Sequence, residues 1–290
     1  MRTATRAVFA TIFAWVSLCV ASGPAFAGGI VQSDRSGAQT VLSGPEIDAR
    51  AASLETLVGQ MVMLGFRGTF LEADSPIRRD IAEGHLGGVI FFDRDMKLPG
   101  RPRNIVSPEQ TRAFISAMRA EAKIPLFVAV DQEGGKVRRL KPEKGFMNLP
   151  SAADLGKGVP ENTRECAANL GAELRYLGFN MDFAPVSDIT VTADSPAIGR
   201  LGRAFSADPE IVIAHNRAFL KGLASAGVIG CLKHFPGHGS ALRDTHLGVT
   251  DITKTWRPME LAPYERLIRE GVVPVEMCIR DRRTGVRRGG

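Results

Sequence analysis

A parallel barrel of the α/β class, the (β/α)8 TIM-type fold, is predicted by three features of the sequence. From Ser53 onward short apolar runs alternate with helical patterns, which is the signature of βαβ units around a parallel sheet. The runs recur evenly, in five repeats of roughly 42 residues between Gln60 and Gly271. Polar residues gather where the runs end: Asp93 and Arg94, Asp131 to Glu133, Asp188, and Lys233 to His246. In barrels that C-terminal face carries the catalytic groups. An open doubly wound sheet is the alternative and could be complete at six strands; the gathered polar ends favour the barrel.

The elements follow in order. The first apolar run, residues 60–66, is read as a strand, and 75–83 as the helix after it. Residues 88–92 (Gly-Val-Ile-Phe-Phe) form the second strand; the helix over 108–122 has Ser107 as its cap acceptor and Pro108 in its first turn. The third strand, 125–131, ends on Asp131, and a helix spans 161–177. The fourth strand, 180–185, precedes a helix over 209–226 that Asp208 and Pro209 open in the same way. The fifth strand is 228–233, the last helix 258–270 and the sixth strand 271–275. Six strands and five helices leave the barrel incomplete, roughly 80 residues short of eight repeats.

The two ends differ from this body. Arg2 and Arg6 precede an apolar run over 7–21 and the small-residue site Ala25-Phe-Ala27, so residues 1–27 read as a secretory signal cleaved near Ala27. The run is too short to favour a membrane span, and no stable membrane anchor is expected. A periplasmic or secreted protein follows, with 28–52 as a flexible leader and 53–275 as the folded domain. Residues 276–290 carry five arginines and no apolar periodicity, and Glu276-Met-Cys-Ile-Arg-Asp-Arg282 resembles translated sequencing-adapter read-through. That segment is read as non-native, with a genuine basic tail as the alternative.

Of the formal net charge of +6, Arg2 and Arg6 supply two and the 276–290 segment three, which leaves one for the body. A nucleic-acid partner is therefore not expected. With 44% hydrophobic and 23% charged residues the whole chain has the composition of an ordinary globular protein. Cys166 and Cys231 fall in different elements and are read as buried free thiols. Nothing in the sequence signals an oligomeric state.

Three of the five histidines fall in Lys233-His-Phe-Pro-Gly-His-Gly-Ser-Ala-Leu-Arg-Asp-Thr-His246. A metal site is one reading, with His234, His238 and Asp244 or His246 as ligands. Pro236 and Gly237 prevent the helix that would align the His-x-x-x-His pair, so no metal and no organic cofactor is expected. In the other reading Lys233 and His234 hydrogen-bond sugar hydroxyls, His238 braces the loop, and Asp244, two residues from His246, orients an imidazole that exchanges protons near neutral pH.

Four ordered motifs, Asp131-Gln-Glu-Gly-Gly-Lys-Val-Arg-Arg139, Asn180-Met-Asp-Phe-Ala-Pro-Val-Ser-Asp188, Ile198-Gly-Arg-Leu-Gly-Arg-Ala-Phe-Ser206 and the Lys233 to His246 loop, resemble those of the glycoside hydrolase family 3 β-N-acetylhexosaminidases. The resemblance runs from about residue 55 to 275. It implies that Asp131, Arg139, Arg203, Lys233 and His234 bind a terminal N-acetylglucosamine unit, and that His246 is the general acid/base with Asp244 beside it. Asp131 can accept two hydroxyl bonds and arginines offer a fork of donors; an internal ion pair at the rim is the alternative for Arg139 and Arg203. Glu133 is given a supporting role.

The implied mechanism is retaining, through a glycosyl-enzyme on an aspartate. That aspartate follows the family's seventh strand, beyond this chain, and Asp182, Asp188 and Asp194 lie too early to match it. The whole protein is thus expected to remove non-reducing-end β-N-acetylglucosamine from peptidoglycan fragments or chitin-type oligosaccharides, and the 290-residue chain alone to be inactive. Rival readings are a non-catalytic carbohydrate-binding barrel and a metal-dependent hydrolase.

Overall fold

A computed structural model of the chain describes residues 29–33, 39–43, 52–243, 250–278 and 281–282. The secretory signal read over 1–27, Asp244 and His246 lie outside them. Among the described residues no helix is long and apolar enough to cross a membrane.

Six strands run in parallel in one sheet: β3 (Met63–Gly65), β4 (Gly88–Phe91), β5 (Phe127–Val130), β8 (Met181–Asp182), β9 (Ile229–Phe235) and β11 (Val275–Cys278). Their order in space is their order in the chain. A doubly wound sheet reverses direction partway, whereas right-handed crossovers that never reverse put every helix on one side and curl the sheet. The sheet is therefore the incomplete barrel. The sixth strand, expected over 271–275, instead begins at Val275 and runs to Cys278, pairing with β9 from Cys231 to Phe235 with a register shift between Met277 and Cys278.

Helices fill the outside. α2 (Pro76–Ala82), α3 (Pro108–Glu121), α5 (Pro160–Leu177), α6 (Pro209–Ser225) and α7 (Ala262–Arg269) match the expected helices, with the one-turn α4 (Ala152–Leu155) between α3 and α5 and a 3-10 turn at Pro258–Leu261 before α7. The caps act as the sequence suggests: Ser107 Oγ accepts from Gln110 N and Asp208 Oδ1 from Glu210 N. α5 stops at Gly178, whose φ of 101° lets its N–H close on Leu174 O; a Cβ there would lie 2.7 Å from Ile115 Cγ2 on α3.

Strand alternation divides the core in two. Val89, Phe91, Val128 and Val130 face the helices, where Phe91 meets Phe66, Phe114 and Phe179 edge-on at centroid separations of 5.1, 5.6 and 5.4 Å. Ala129, Met181, Phe183 and Cys231 form the inner cluster of the curled sheet. Continuing that alternation, Asp131 and Glu133 leave β5 on the inner side and Gln132 on the outer.

Three local features lie beyond the sequence reading. Residues 54–60 form α1 (Leu54–Gln60), so the strand read from Gln60 begins only at Met63; Ser53 Oγ accepts from Thr56 N, and the Gln60 amide donates to Gly84 O and Leu86 O. The segment expected as a flexible leader holds an antiparallel pair, β1 (Gly29–Ser33) and β2 (Gln39–Ser43), each with β-branched residues at its centre. Downstream, β10 (Thr250–Asp251) pairs with β12 (Asp281–Arg282) inside the 276–290 segment. Cys166 and Cys231 are both free thiols; Cys231 is buried and Cys166 half-buried.

Candidate active site

The site lies at the C-terminal mouth of the sheet, where β5, β8 and β9 end. Beyond Val130 the chain turns back as a two-stranded ribbon, β6 (Gln132–Gly134) and β7 (Val137–Arg138). Gly134 and Gly135 make the turn with φ of 90° and 56°, and a Cβ on Gly134 would meet Pro150 O at 2.2 Å. This ribbon brings Arg139 back beside Asp131.

Asp131 and Glu133, two residues apart on an extended segment, share one face and one cation. Lys233 Nζ, at the end of β9, lies 2.8 Å from Asp131 Oδ1 and 2.6 Å from Glu133 Oε1. Arg203 clamps Glu133 from the other side, Nε to Oε2 and Nη2 to Oε1, both at 2.7 Å, while its Nη1 donates to Ala197 O at 2.8 Å. Arg139 Nη2 stands 3.6 Å from Asp131 Oδ2. The five residues named for sugar binding thus meet in one cluster, with Glu133 at its centre.

His234 links Arg203 to Asp188. Its Nδ1 is 2.6 Å from Asp188 Oδ2, and Arg203 Nη2 is 3.2 Å from its Nε2. A guanidinium only donates, so Nε2 accepts and the ring proton sits on Nδ1, facing the carboxylate. Asp188 also accepts from the backbone N–H groups of His234 and His238, at 3.3 and 2.7 Å.

Burial and charge set the protonation states. Burial pushes the Asp131 and Glu133 carboxyls up, but Lys233 with Arg139 or Arg203 outweighs it and holds both below their ordinary values. Burial likewise opposes the charge of Lys233, and its two carboxylate neighbours keep it protonated. Asp188 is held down against its own burial, and burial pushes His234 below its usual value, so the pair is an ionised carboxylate and a neutral imidazole. Asp182 is the opposite case: it is fully buried, and burial raises it well above the ordinary carboxylate value.

Exposure grades the cluster. The Arg139 and Asp131 side chains are 25% and 17% exposed, against 3% for Lys233 and 4% for Glu133. Arg139 and Asp131 therefore form the open face, while Lys233 spends two of its three donors on the internal carboxylates and Arg203 spends four of its five on Glu133, Ala197 O and His234. Arg203 makes the rim ion pair that was the alternative to sugar contact, with one Nη1 hydrogen left over. Of the other polar strand ends, Asp93 is tied to Lys141 at 2.9 Å and Arg94 is exposed outside the cluster. Asp194, 87% exposed on its side chain, also stands apart.

The loop after β9 is braced from below. Trp256 Nε1 donates to Pro236 O at 3.0 Å, and the buried Glu260 accepts from Ser240 N and Arg257 N at 3.2 and 2.9 Å. These contacts, with His238 N on Asp188, hold the loop from Pro236 to Ser240. Sequence reasoning left out the Asp188–His234 pair and the centrality of Glu133. The second was signalled by its two-residue spacing from Asp131.

A family model for the glycosyl hydrolase family 3 N-terminal domain matches residues 53–278. The chain is 33% identical over 228 residues to a beta-hexosaminidase of Stenotrophomonas maltophilia, covering 75% of this chain and 63% of that protein. It is 34% identical over 226 residues to the beta-hexosaminidase of Idiomarina loihiensis, at 74% and 63%. It thus spans less than two thirds of these curated relatives. Among solved structures, a family 3 beta-N-acetylglucosaminidase from a Paenibacillus species superposes with a TM-score of 0.71 at 34% identity, over 80% of this chain and 42% of that one. NagZ from Neisseria gonorrhoeae in complex with N-trifluoroacetyl-D-glucosamine gives 0.67 at 29% identity, over 77% and 64%.

Proposed function

The chain belongs to glycosyl hydrolase family 3 through its N-terminal domain, and on that premise we propose that the whole protein removes non-reducing-end β-N-acetylglucosamine from peptidoglycan fragments or chitin-type oligosaccharides. The observation that carries this reading is the cluster at the mouth of the sheet. Its open face presents a carboxylate, Asp131, and a guanidinium, Arg139, with a neutral imidazole, His234, behind them. That is a donor and acceptor set suited to the vicinal hydroxyls of one terminal sugar. The remaining N–H groups of Lys233 and Arg203 complete it.

Catalysis in this reading is retaining. His246, oriented by Asp244, protonates the leaving oxygen and later takes a proton from water. The nucleophile is an aspartate after the seventh strand. The described carboxylates at the mouth are otherwise engaged: Asp182 is buried and accepts from Gln132 N, Asp188 is committed to His234, Asp93 is paired with Lys141, and Asp131 and Glu133 with Lys233. We therefore propose that the 290-residue chain binds the sugar without turning it over. The export signal read over residues 1–27 supports a periplasmic or secreted setting.

The test is a titration of the 290-residue chain with N-acetylglucosamine, followed by NMR, alongside Lys233→Met. Saturable shifts that disappear in the variant are expected; a wild-type spectrum that does not respond overturns the reading.

A further inference from the structure

The residue that shapes the open face of the site makes no contact with its charged groups. Gln132 sits between Asp131 and Glu133, points to the opposite side and is fully buried. Its Oε1 accepts from the backbone N–H groups of Arg139 and Leu140, both at 2.9 Å, and its Nε2 donates to Leu140 O at 3.0 Å. One side chain thus satisfies three backbone groups at the far end of the ribbon and fixes where the chain delivers Arg139. Its own backbone N–H is held in turn, donating to Asp182 Oδ1 at 3.0 Å.

Asp182 belongs to a second pattern. Asn180 and Asp182 lie two apart at β8, and each reaches across to the backbone of β5. Asn180 accepts from Val128 N at 2.7 Å and donates to Leu126 O at 3.0 Å, at the start of that strand. Asp182 takes Gln132 N at its end. The neighbouring strand therefore pins β5 at both ends, and Gln132 passes that constraint through its amide to Arg139.

We infer that Gln132, anchored by Asp182, is a positioning residue for sugar recognition: it sets the guanidinium of Arg139 opposite the carboxylate of Asp131 and so fixes the separation of the donor and acceptor that meet the sugar. The inference rests on the N-acetylglucosamine reading of the site. A buried amide bonded to three backbone groups is intolerant of substitution, because an apolar residue leaves all three unsatisfied. Glutamate at this position mimics the amide only while protonated, when its O–H replaces the Nε2 donor to Leu140 O; once ionised it faces that carbonyl with a negative oxygen.

The experiment measures N-acetylglucosamine affinity of the 290-residue chain by NMR titration for the wild type, Gln132→Leu and Gln132→Glu, with circular dichroism to monitor folding. Gln132→Leu is expected to bind about tenfold more weakly while keeping its secondary structure. Gln132→Glu is expected to approach wild-type affinity at about pH 5 and to lose about tenfold relative to wild type at about pH 8. The glutamate series also decides the matter where the leucine variant does not fold. A variant-to-wild-type affinity ratio that stays at one across that range overturns the inference and leaves the sugar site standing. A wild-type chain that does not bind N-acetylglucosamine overturns both.

Discussion

Lys233 and Glu133, a hundred residues apart in the chain, meet at 2.6 Å, and the same ammonium reaches Asp131 at 2.8 Å. The cation of β9 is thus the bolt between the two carboxylates that leave β5. Glu133 also accepts two of the hydrogen bonds from Arg203, so its removal leaves two buried cations short of a partner. Breaking a buried pair from one side costs about 3–5 kcal/mol. Glu133→Ala is expected to lower the urea midpoint of the chain accordingly, and Glu133→Gln by less. An alanine variant with the wild-type midpoint would mean that the cluster does not stabilise the mouth of the sheet.

Acid should unfold the chain through the same groups. Asp131, Glu133 and Asp188 have folded-state values below their ordinary 3.8, 4.5 and 3.8, so the folded state binds fewer protons than the unfolded one in that window. Their contribution is complete above the ordinary values and is lost as pH falls through the depressed ones. Stability measured from neutrality downward is expected to hold until about pH 4.5 and then to drop.

Asp182 runs the other way. Its raised value means the folded state keeps a proton that the unfolded state releases above 3.8, so its contribution is present below 3.8 and declines as pH rises toward the folded value. Asn preserves the acceptor for Gln132 N without an ionisable group. Asp182→Asn is therefore expected to melt at or above the wild-type temperature at neutral pH, with an advantage that does not shrink as pH rises; a variant that melts below the wild type at neutral pH would contradict the raised value.

The tautomer of His234 is open to direct observation. Burial pushes its value below 6.5, and Arg203 and Asp188 between them fix the proton on Nδ1. Long-range proton–nitrogen correlation spectra are expected to show a neutral Nδ1–H ring that does not titrate until below that value. An Nε2–H ring, or titration above 6.5, contradicts the arrangement.

The barrel was legible because its strands are apolar runs with polar ends, and Asp131, Lys233 and His234 were legible because they stand on those ends. The β6–β7 ribbon was not. Gly134 and Gly135 read as part of a motif, and only the fold shows that they turn the chain so that Arg139 returns to Asp131. Asp188 was visible as a polar strand end, but its partner His234 is 46 residues away, and no local pattern encodes that pairing. Gln60 was read as the start of the first strand because the apolar run Met61 to Leu64 follows it directly, while it ends α1 and its amide binds a distant loop.

Hydrolysis of a chromogenic aryl N-acetyl-β-glucosaminide by the protein at the full length of its relatives, as wild type and as His246→Ala, tests the central claim most directly. The account predicts turnover in the wild type that falls by about a hundredfold or more in the variant, the range expected when a general acid/base is lost. A full-length protein silent on this substrate, or a variant as active as wild type, would contradict it.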